Sequence, residues 1–177
     1  MMALVVQTAR LALRHLEARD APFILALVND PAWLRFIGDR GVRDVEAARR
    51  YIEDKIIAMY ERHGFGLWMV EDREDGRPMG ICGLVKRDTL PEVDLGFAFM
   101  PEFRGRGLAY EAATASRDYA VGELGIGRLL AITSPLNLDS IRLLERLGFV
   151  RERDMPWAGD EKDVVAVYAY APQGSSS

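Results

Sequence analysis

The residues best placed to do chemistry are Arg104, Gly105, Arg106 and Gly107, which join an apolar run at 93–100 to a helix-like run opening at Leu108. Gly105 and Gly107 allow positive φ and let the backbone come close to a ligand. A helix that begins at Leu108 aims its unpaired N–H groups and the positive end of its dipole back at this turn. The product is an anion cradle, to which Arg104 and Arg106 bring charge suited to phosphate. An ordinary strand-to-helix turn with solvated arginines uses the same residues. Two other phosphate loops do not fit. No Lys follows either glycine, as G-x-x-x-x-G-K-[ST] requires, and Tyr110 stands where G-x-G-x-x-G needs its third glycine.

The elements that position this cradle fit in one domain. A chain of 177 residues buries one sizeable core, and 49% hydrophobic with 28% charged residues is ordinary for a globular protein. A net charge of −4 speaks against a protein that coats nucleic acid, while leaving room for a local basic patch. Cys82 is the single cysteine, so neither an intrachain disulfide nor a cysteine zinc cluster is expected. His15 and His63 lack metal-ligand spacing and no HExxH occurs, so no metal is expected. Without a run of 18 apolar residues or a signal-like N-terminus, the expectation is a cytoplasmic protein with no membrane partner.

Residues 11–13 alternate toward His15 and predict a first strand. Asp20 and Pro22 offer an N-cap and a first-turn proline for a helix that Asn29-Asp30-Pro31 stops. Residues 32–41 mix Trp33, Phe36 and Ile37 with turn residues. Asp44 opens a second helix, with apolar positions from Val45 to Met59 at helical spacing. Strands are predicted at 65–71 and 79–85 around the turn 74–78, and again at 93–100, 129–133 and 164–168. Helices are predicted at 108–121 and 136–147, the latter closed by Gly148. Strands cluster early and alternate with helices later, the pattern of a single α/β (α+β) domain over 1–173 with a mixed sheet covered by helices. Residues 174–177 read as a disordered tail.

Arg104-x-x-Gly107-x-Ala109 resembles the [QR]-x-x-G-x-[GA] pyrophosphate loop of the GNAT superfamily of acyl-CoA-dependent N-acetyltransferases. Asn137-Leu-Asp-Ser140, followed by Leu147-Gly148-Phe149, is similar to that superfamily's N-x-x-[AS]…L-G-F helix. The opening Thr8-Ala-Arg-Leu-Ala-Leu-Arg14, then Asp94-Leu-Gly-Phe97 and Pro101-Glu102, resemble the RimJ/RimL branch, which modifies protein N-termini and other amines. The likeness spans residues 8–170. It implies a mixed, mostly antiparallel central sheet flanked by helices. It also implies transfer of an acetyl group from acetyl-CoA, as co-substrate, directly to a primary amine. Pantetheine is then expected to pair with the backbone of 96–100. Phe97, Ala98 and Phe99 become cofactor-binding positions beside Arg104, Gly105, Arg106, Gly107, Leu108 and Ala109. One N–H of that strand is expected to bond the thioester carbonyl, a donor whose loss costs roughly 10²–10³ in rate. On the residues alone, Leu95, Phe97 and Phe99 read equally as one core face.

Many members of the superfamily carry a Tyr seven residues after the Asn to protonate the leaving thiolate, and this chain has Leu144 there. RimL-like enzymes use a Ser at the position of Ser140, which makes Ser140 the candidate proton donor and, with Asn137, a cofactor contact. Close packing is the alternative for Ser140, and a helix N-cap for Asn137. Asp94 matches a position where this branch often has Glu, and burial beside Val93 and Leu95 would raise its pKa toward that of a base. A solvent-facing Asp on an alternating strand is the alternative. Glu92, Glu152 and Glu161 are further carboxylates for that role, and His15 and His63 are expected at the surface. The acidic hairpin running from 152–154 to 160–163, with Trp157, suits either a cationic substrate or a solvated turn. About a tenth of an α-amino group is neutral at pH 7, against less than ~0.1% of lysine, which favours a protein or peptide N-terminus as acceptor. Small-molecule amines (polyamines, antibiotics, amino-acid-like compounds), a non-catalytic acyl-CoA-binding or regulatory module, and a nucleotide-binding module are the other readings. A monomer and a homodimer are both compatible with the sequence.

Overall fold

Apolar runs build this chain around one sheet covered on both faces. The computed structural model describes residues 3–157 and 160–172, with the backbone alone at 160–163. The strand order is β1 (Leu4–Gln7), β2 (Leu11–Arg14), β3 (Leu67–Asp72), β4 (Pro78–Val85), β5 (Asp94–Phe99), β6 (Leu129–Thr133), β8 (Asp160–Tyr170) and β7 (Val150–Trp157). Neighbours are antiparallel except β5 and β6, which run parallel and pair only at Asp94 and Leu130. Beyond that point the two strands part. On that side, residues 95–99 of β5 have no strand partner among the described residues.

One face of the sheet, through Met69 and Ile81, packs against α1 (Ala21–Val28), α2 (Pro31–Phe36) and a long helical segment. That segment comprises α3 (Val45–Tyr51), a π-helical turn at Ile52–Ile57, and α4 (Ala58–His63), which ends at the left-handed Gly64. The other face, through Trp68, Val70, Cys82 and Leu84, packs against α5 (Leu108–Gly122) and, through Leu144, α6 (Leu138–Arg146). Because both faces are covered, Trp68, Met69 and Val70 are all buried in succession and β3 shows no alternation.

Four elements depart from the sequence expectations. β1 precedes the strand expected to be first; it is a partly exposed edge strand whose Leu-Val-Val-Gln run carries no period. Asn29-Asp30-Pro31 ends α1 but also starts α2, since the Asp30 carboxylate accepts from the Ala32 N–H at 3.1 Å with Pro31 in the first turn. Asp44 caps as expected, accepting from the Ala47 N–H at 2.7 Å, yet the helix is interrupted by the π turn. The charge run from 152 belongs to β7, an outer strand with charges on both faces, rather than to a solvated turn alone. The expected tail at 174–177 lies outside the described residues, as do the side chain of Glu161 and those of its neighbours.

Candidate active site

The site begins where β5 and β6 separate. β5 leads through a short 3-10 turn, Pro101–Phe103, into Gly105 and Gly107, both left-handed at φ 76° and 75°, and α5 starts directly after. Glu111 supplies the first N–H bonded back into the helix, to the Gly107 carbonyl at 3.0 Å. No described group accepts from the N–H groups of residues 105–110, so this run of donors is open to an anion. The cradle is held from below by Glu111. Its carboxylate accepts from the Thr8 hydroxyl, from the Arg10 N–H at 2.9 Å and from Arg10 Nε at 2.7 Å, and Arg10 Nη1 donates to the Arg106 carbonyl at 3.1 Å. Burial pushes the Glu111 pKa up, but these donors outweigh it and hold the carboxyl below its usual value.

Arg104 turns out to be a brace. Its Nε and Nη2 donate to the Phe99 carbonyl at 3.1 and 2.8 Å, and Nη2 also donates to Asp30 Oδ2 at 2.8 Å. The guanidinium expected to meet phosphate therefore ties the end of β5 to the capping residue of α2. Arg106 keeps its charge exposed near the Phe103 ring.

Two clefts meet at the gap in the sheet. The first, of about 510 Å³, is lined by the cradle, by Phe97, Ala98 and Phe99, and by the α6 face carrying Asp139, Arg142, Leu143 and Arg146. The second, of about 500 Å³, lies between β5 and β6 on one side and α2 with the π turn on the other. They share Phe97, Ala98, Asn137 and Ser140, together with Trp33, Phe36 and Ile37. Every expected cofactor-binding residue but Arg106 lines the first cleft.

Asn137 is the N-cap of α6: its side-chain oxygen accepts from the Ser140 N–H at 3.2 Å. The cap fixes the first turn, and Ser140 lines both clefts. Leu144 is 1% exposed in the core and lines neither cleft, so that position faces the sheet. Asp94 lines the second cleft but is 1% exposed, which removes the solvent-facing alternative. Its Oδ2 accepts from Arg87 Nε at 2.9 Å, whereas Oδ1 has no partner. Desolvation dominates and raises its pKa, with Arg87 and then Lys86 opposing. Glu92 and Glu152 are instead engaged by Arg128, at 3.3 and 2.5 Å. His63 is exposed as expected, but His15 is half-buried, stacks on Tyr60 at 4.0 Å, and has its pKa lowered by burial.

Sequence reasoning missed Arg142 and Arg146, although their i, i+4 spacing places them on one helix face with Asp139 and Leu143. Trp33 and Phe36, in a stretch read as mixed with turn residues, line both clefts because that stretch folds as α2.

A sheet opened between two parallel strands, with an anion cradle on one side and a second cleft on the other, has room for a phosphate-bearing donor to meet an acceptor. The chain matches the acetyltransferase (GNAT) domain over residues 10–150 and belongs to that family. It is 31% identical over 144 residues to YkkB of Bacillus subtilis, covering 80% of this chain and 82% of that protein. It is 24% identical over 152 residues to the spermidine N(1)-acetyltransferase of Escherichia coli, covering 81% and 74%. An acetyltransferase from Agrobacterium tumefaciens matches with a TM-score of 0.79 and 29% identity, over 94% of both chains. RimL, a ribosomal L7/L12 alpha-N-protein acetyltransferase in complex with coenzyme A, shares the fold with a TM-score of 0.80 at 19% identity, over 95% and 97%. The protein is thus an acetyl-CoA-dependent acetyltransferase.

Proposed function

We propose that this protein moves the acetyl group of acetyl-CoA directly to a primary amine, with the donor along the open edge of β5 and the acceptor in the cleft beneath α2. The observation that carries this reading is the shared lining: Phe97, Ala98, Asn137 and Ser140 belong to both clefts, so donor and acceptor meet at the gap in the sheet. The donors of residues 105–110 suit the pyrophosphate, and the unpaired β5 edge suits an extended amide-bearing arm. Arg142 and Arg146 add charge at the same mouth.

In the reaction the amine nitrogen attacks the acetyl carbon, a C–N bond forms and the C–S bond breaks. Asp94 takes the proton the amine loses; burial raises its pKa, the direction that strengthens a carboxylate as a base. A backbone N–H on the β5 edge steadies the oxyanion. Ser140 delivers a proton to the departing sulfur and is reprotonated from solvent. A cleft of about 500 Å³ admits a small molecule or the first residues of a peptide.

Thermal-shift titration and thiol release test this reading. Acetyl-CoA at 100 times its Kd is expected to add about 2.7 kcal/mol of stability, and no rise in Tm refutes the donor assignment. Ser140→Ala is expected to lower kcat by about 10²-fold with the acetyl-CoA Kd unchanged; a wild-type kcat removes Ser140 as the acid.

A further inference from the structure

We propose that the acceptor is a free α-amino acid with an apolar side chain, its carboxylate held by Arg87 and its amino group directed to Asp94. This rests on the acetyl-transfer reading above. Among the described residues the acceptor cleft carries more cations than carboxylates, in a chain whose net charge is −4. Its charged lining among the described residues is Arg40, Lys55, Lys86 and Arg87, with Asp94 as the single carboxylate. These cations come from the loop after α2, from the π turn and from the end of β4. Arg40 and Lys55 have no hydrogen-bond or ion-pair partner among the described residues. A low-dielectric cleft lined by one sign of charge concentrates ligands of the other sign and repels a polyamine.

The chemistry narrows further at Arg87. Only its Nε is engaged, by Asp94 Oδ2 at 2.9 Å, and its Nη1 and Nη2 reach no described acceptor. The guanidinium lies 5.3 Å from the centre of the Trp157 ring. Lys86 beside it is pinned by donating to the Arg87 and Leu90 carbonyls, both at 2.8 Å, which holds the strand end in place. An arginine with two free donors suits the two oxygens of a carboxylate. Next to it, Asp94 Oδ1 is a buried acceptor without a donor, and leaving such an atom unpaired is costly. A guanidinium fork touching a carboxylate with a spare oxygen is the complement of an adjacent carboxylate and ammonium. Apolar walls from Trp33, Phe36, Ile56 and Met59 take the side chain. The products are the N-acetyl amino acid and the free thiol of CoA, with the proton transfers given above.

The test is thiol release by the full chain with acetyl-CoA and L-methionine or L-phenylalanine, against their methyl esters, spermidine and a C-terminally amidated peptide. The free acids are expected to show kcat/KM at least about tenfold above the esters, the worth of one charge-assisted hydrogen bond. Arg87→Gln is expected to bring the acid-to-ester ratio toward one while the acetyl-CoA Kd holds. Lys55→Glu, at an exposed unpaired position, is expected to raise KM for the acids several-fold, and it covers the case in which Arg87→Gln fails to fold. Esters, spermidine or the peptide turning over as well as the free acids overturns the inference and leaves the acetyl-transfer reading standing. Binding of acetyl-CoA without transfer to any amino acid overturns it equally. Failure to bind acetyl-CoA sinks the underlying reading itself.

Discussion

Gly107→Ala, measured beside Gly125→Ala, isolates the cradle from the general cost of a left-handed alanine. Gly107 sits at φ 75° and Gly125 at φ 67°, so a side chain at either costs about 1–2 kcal/mol of backbone strain. In a chain of this length each kcal/mol is worth roughly 2–4 °C, and both variants are expected to lose roughly 2–8 °C in Tm. Neither position is crowded by the protein. A Cβ at Gly107 meets only Arg10 Nη2, at 3.5 Å, and one at Gly125 meets nothing within 4 Å. The variants are therefore matched in stability and differ in place: Gly107 lines the cleft proposed for the donor, and Gly125 sits in the turn between α5 and β6. A methyl group at Gly107 stands where the backbone has to approach a diphosphate, and it displaces at least one of the open N–H donors from its partner. Losing one hydrogen bond to a charged group costs about 1.5–3 kcal/mol, which weakens acetyl-CoA binding about 10- to 150-fold. Isothermal titration calorimetry reads this directly. Equal acetyl-CoA affinities for the two variants would show that the glycine turn holds no phosphate.

Two further perturbations address the base and the scaffold. Asp94→Asn is expected to lower kcat/KM about 10²-fold and to erase the acidic limb of its pH profile; a retained limb excludes Asp94 as base. Because burial raises the Asp94 pKa, wild-type stability falls as pH climbs from 3.8 toward the folded-state value. Calorimetry should find that step missing in the variant. Arg14→Ala attacks a buried bridge, in which Nη1 and Nη2 each donate to Asp20 at 2.9 Å and Nε donates to Glu71 at 3.0 Å. Stranding Asp20, 7% exposed, is expected to cost roughly 3–5 kcal/mol by urea unfolding at pH 7. Burial opposes ionisation of Asp20, but its hydrogen bonds prevail and hold its pKa down. The Arg14 contribution is therefore present above 3.8 and fades as pH falls through the lower folded value. A gap that stays constant down to strong acid contradicts this.

The donor half of the site was legible because each of its parts is local. A glycine at the N-terminus of α5, an asparagine capping α6 and a serine in its first turn are decisions made within a few residues, and the sequence shows them as spacing. Even there the side chains were less legible than the backbone. Arg104 looked like a phosphate ligand, but it sits where the Phe99 carbonyl and Asp30 offer two acceptors at once, a pairing that depends on the 74-residue separation closing in space. α2 was missed because Asn-Asp-Pro marks a stop and a start equally well, and β1 because an outer strand needs no apolar alternation.

The acceptor half follows the opposite rule. Arg40, Lys55, Lys86, Arg87 and Trp157 come from four separate stretches of chain, and no spacing links them. They converge because Trp33 seats α2 against the sheet and the π turn brings Lys55 and Ile56 to the same wall, while the parting of β5 from β6 leaves the space they surround. A motif can therefore announce the donor, since the cradle must be built from contiguous backbone. The acceptor is announced by charge and burial at positions brought together only by the fold. The substrate of this protein is therefore best sought through the unpaired fork of Arg87 and the lone carboxylate beside it.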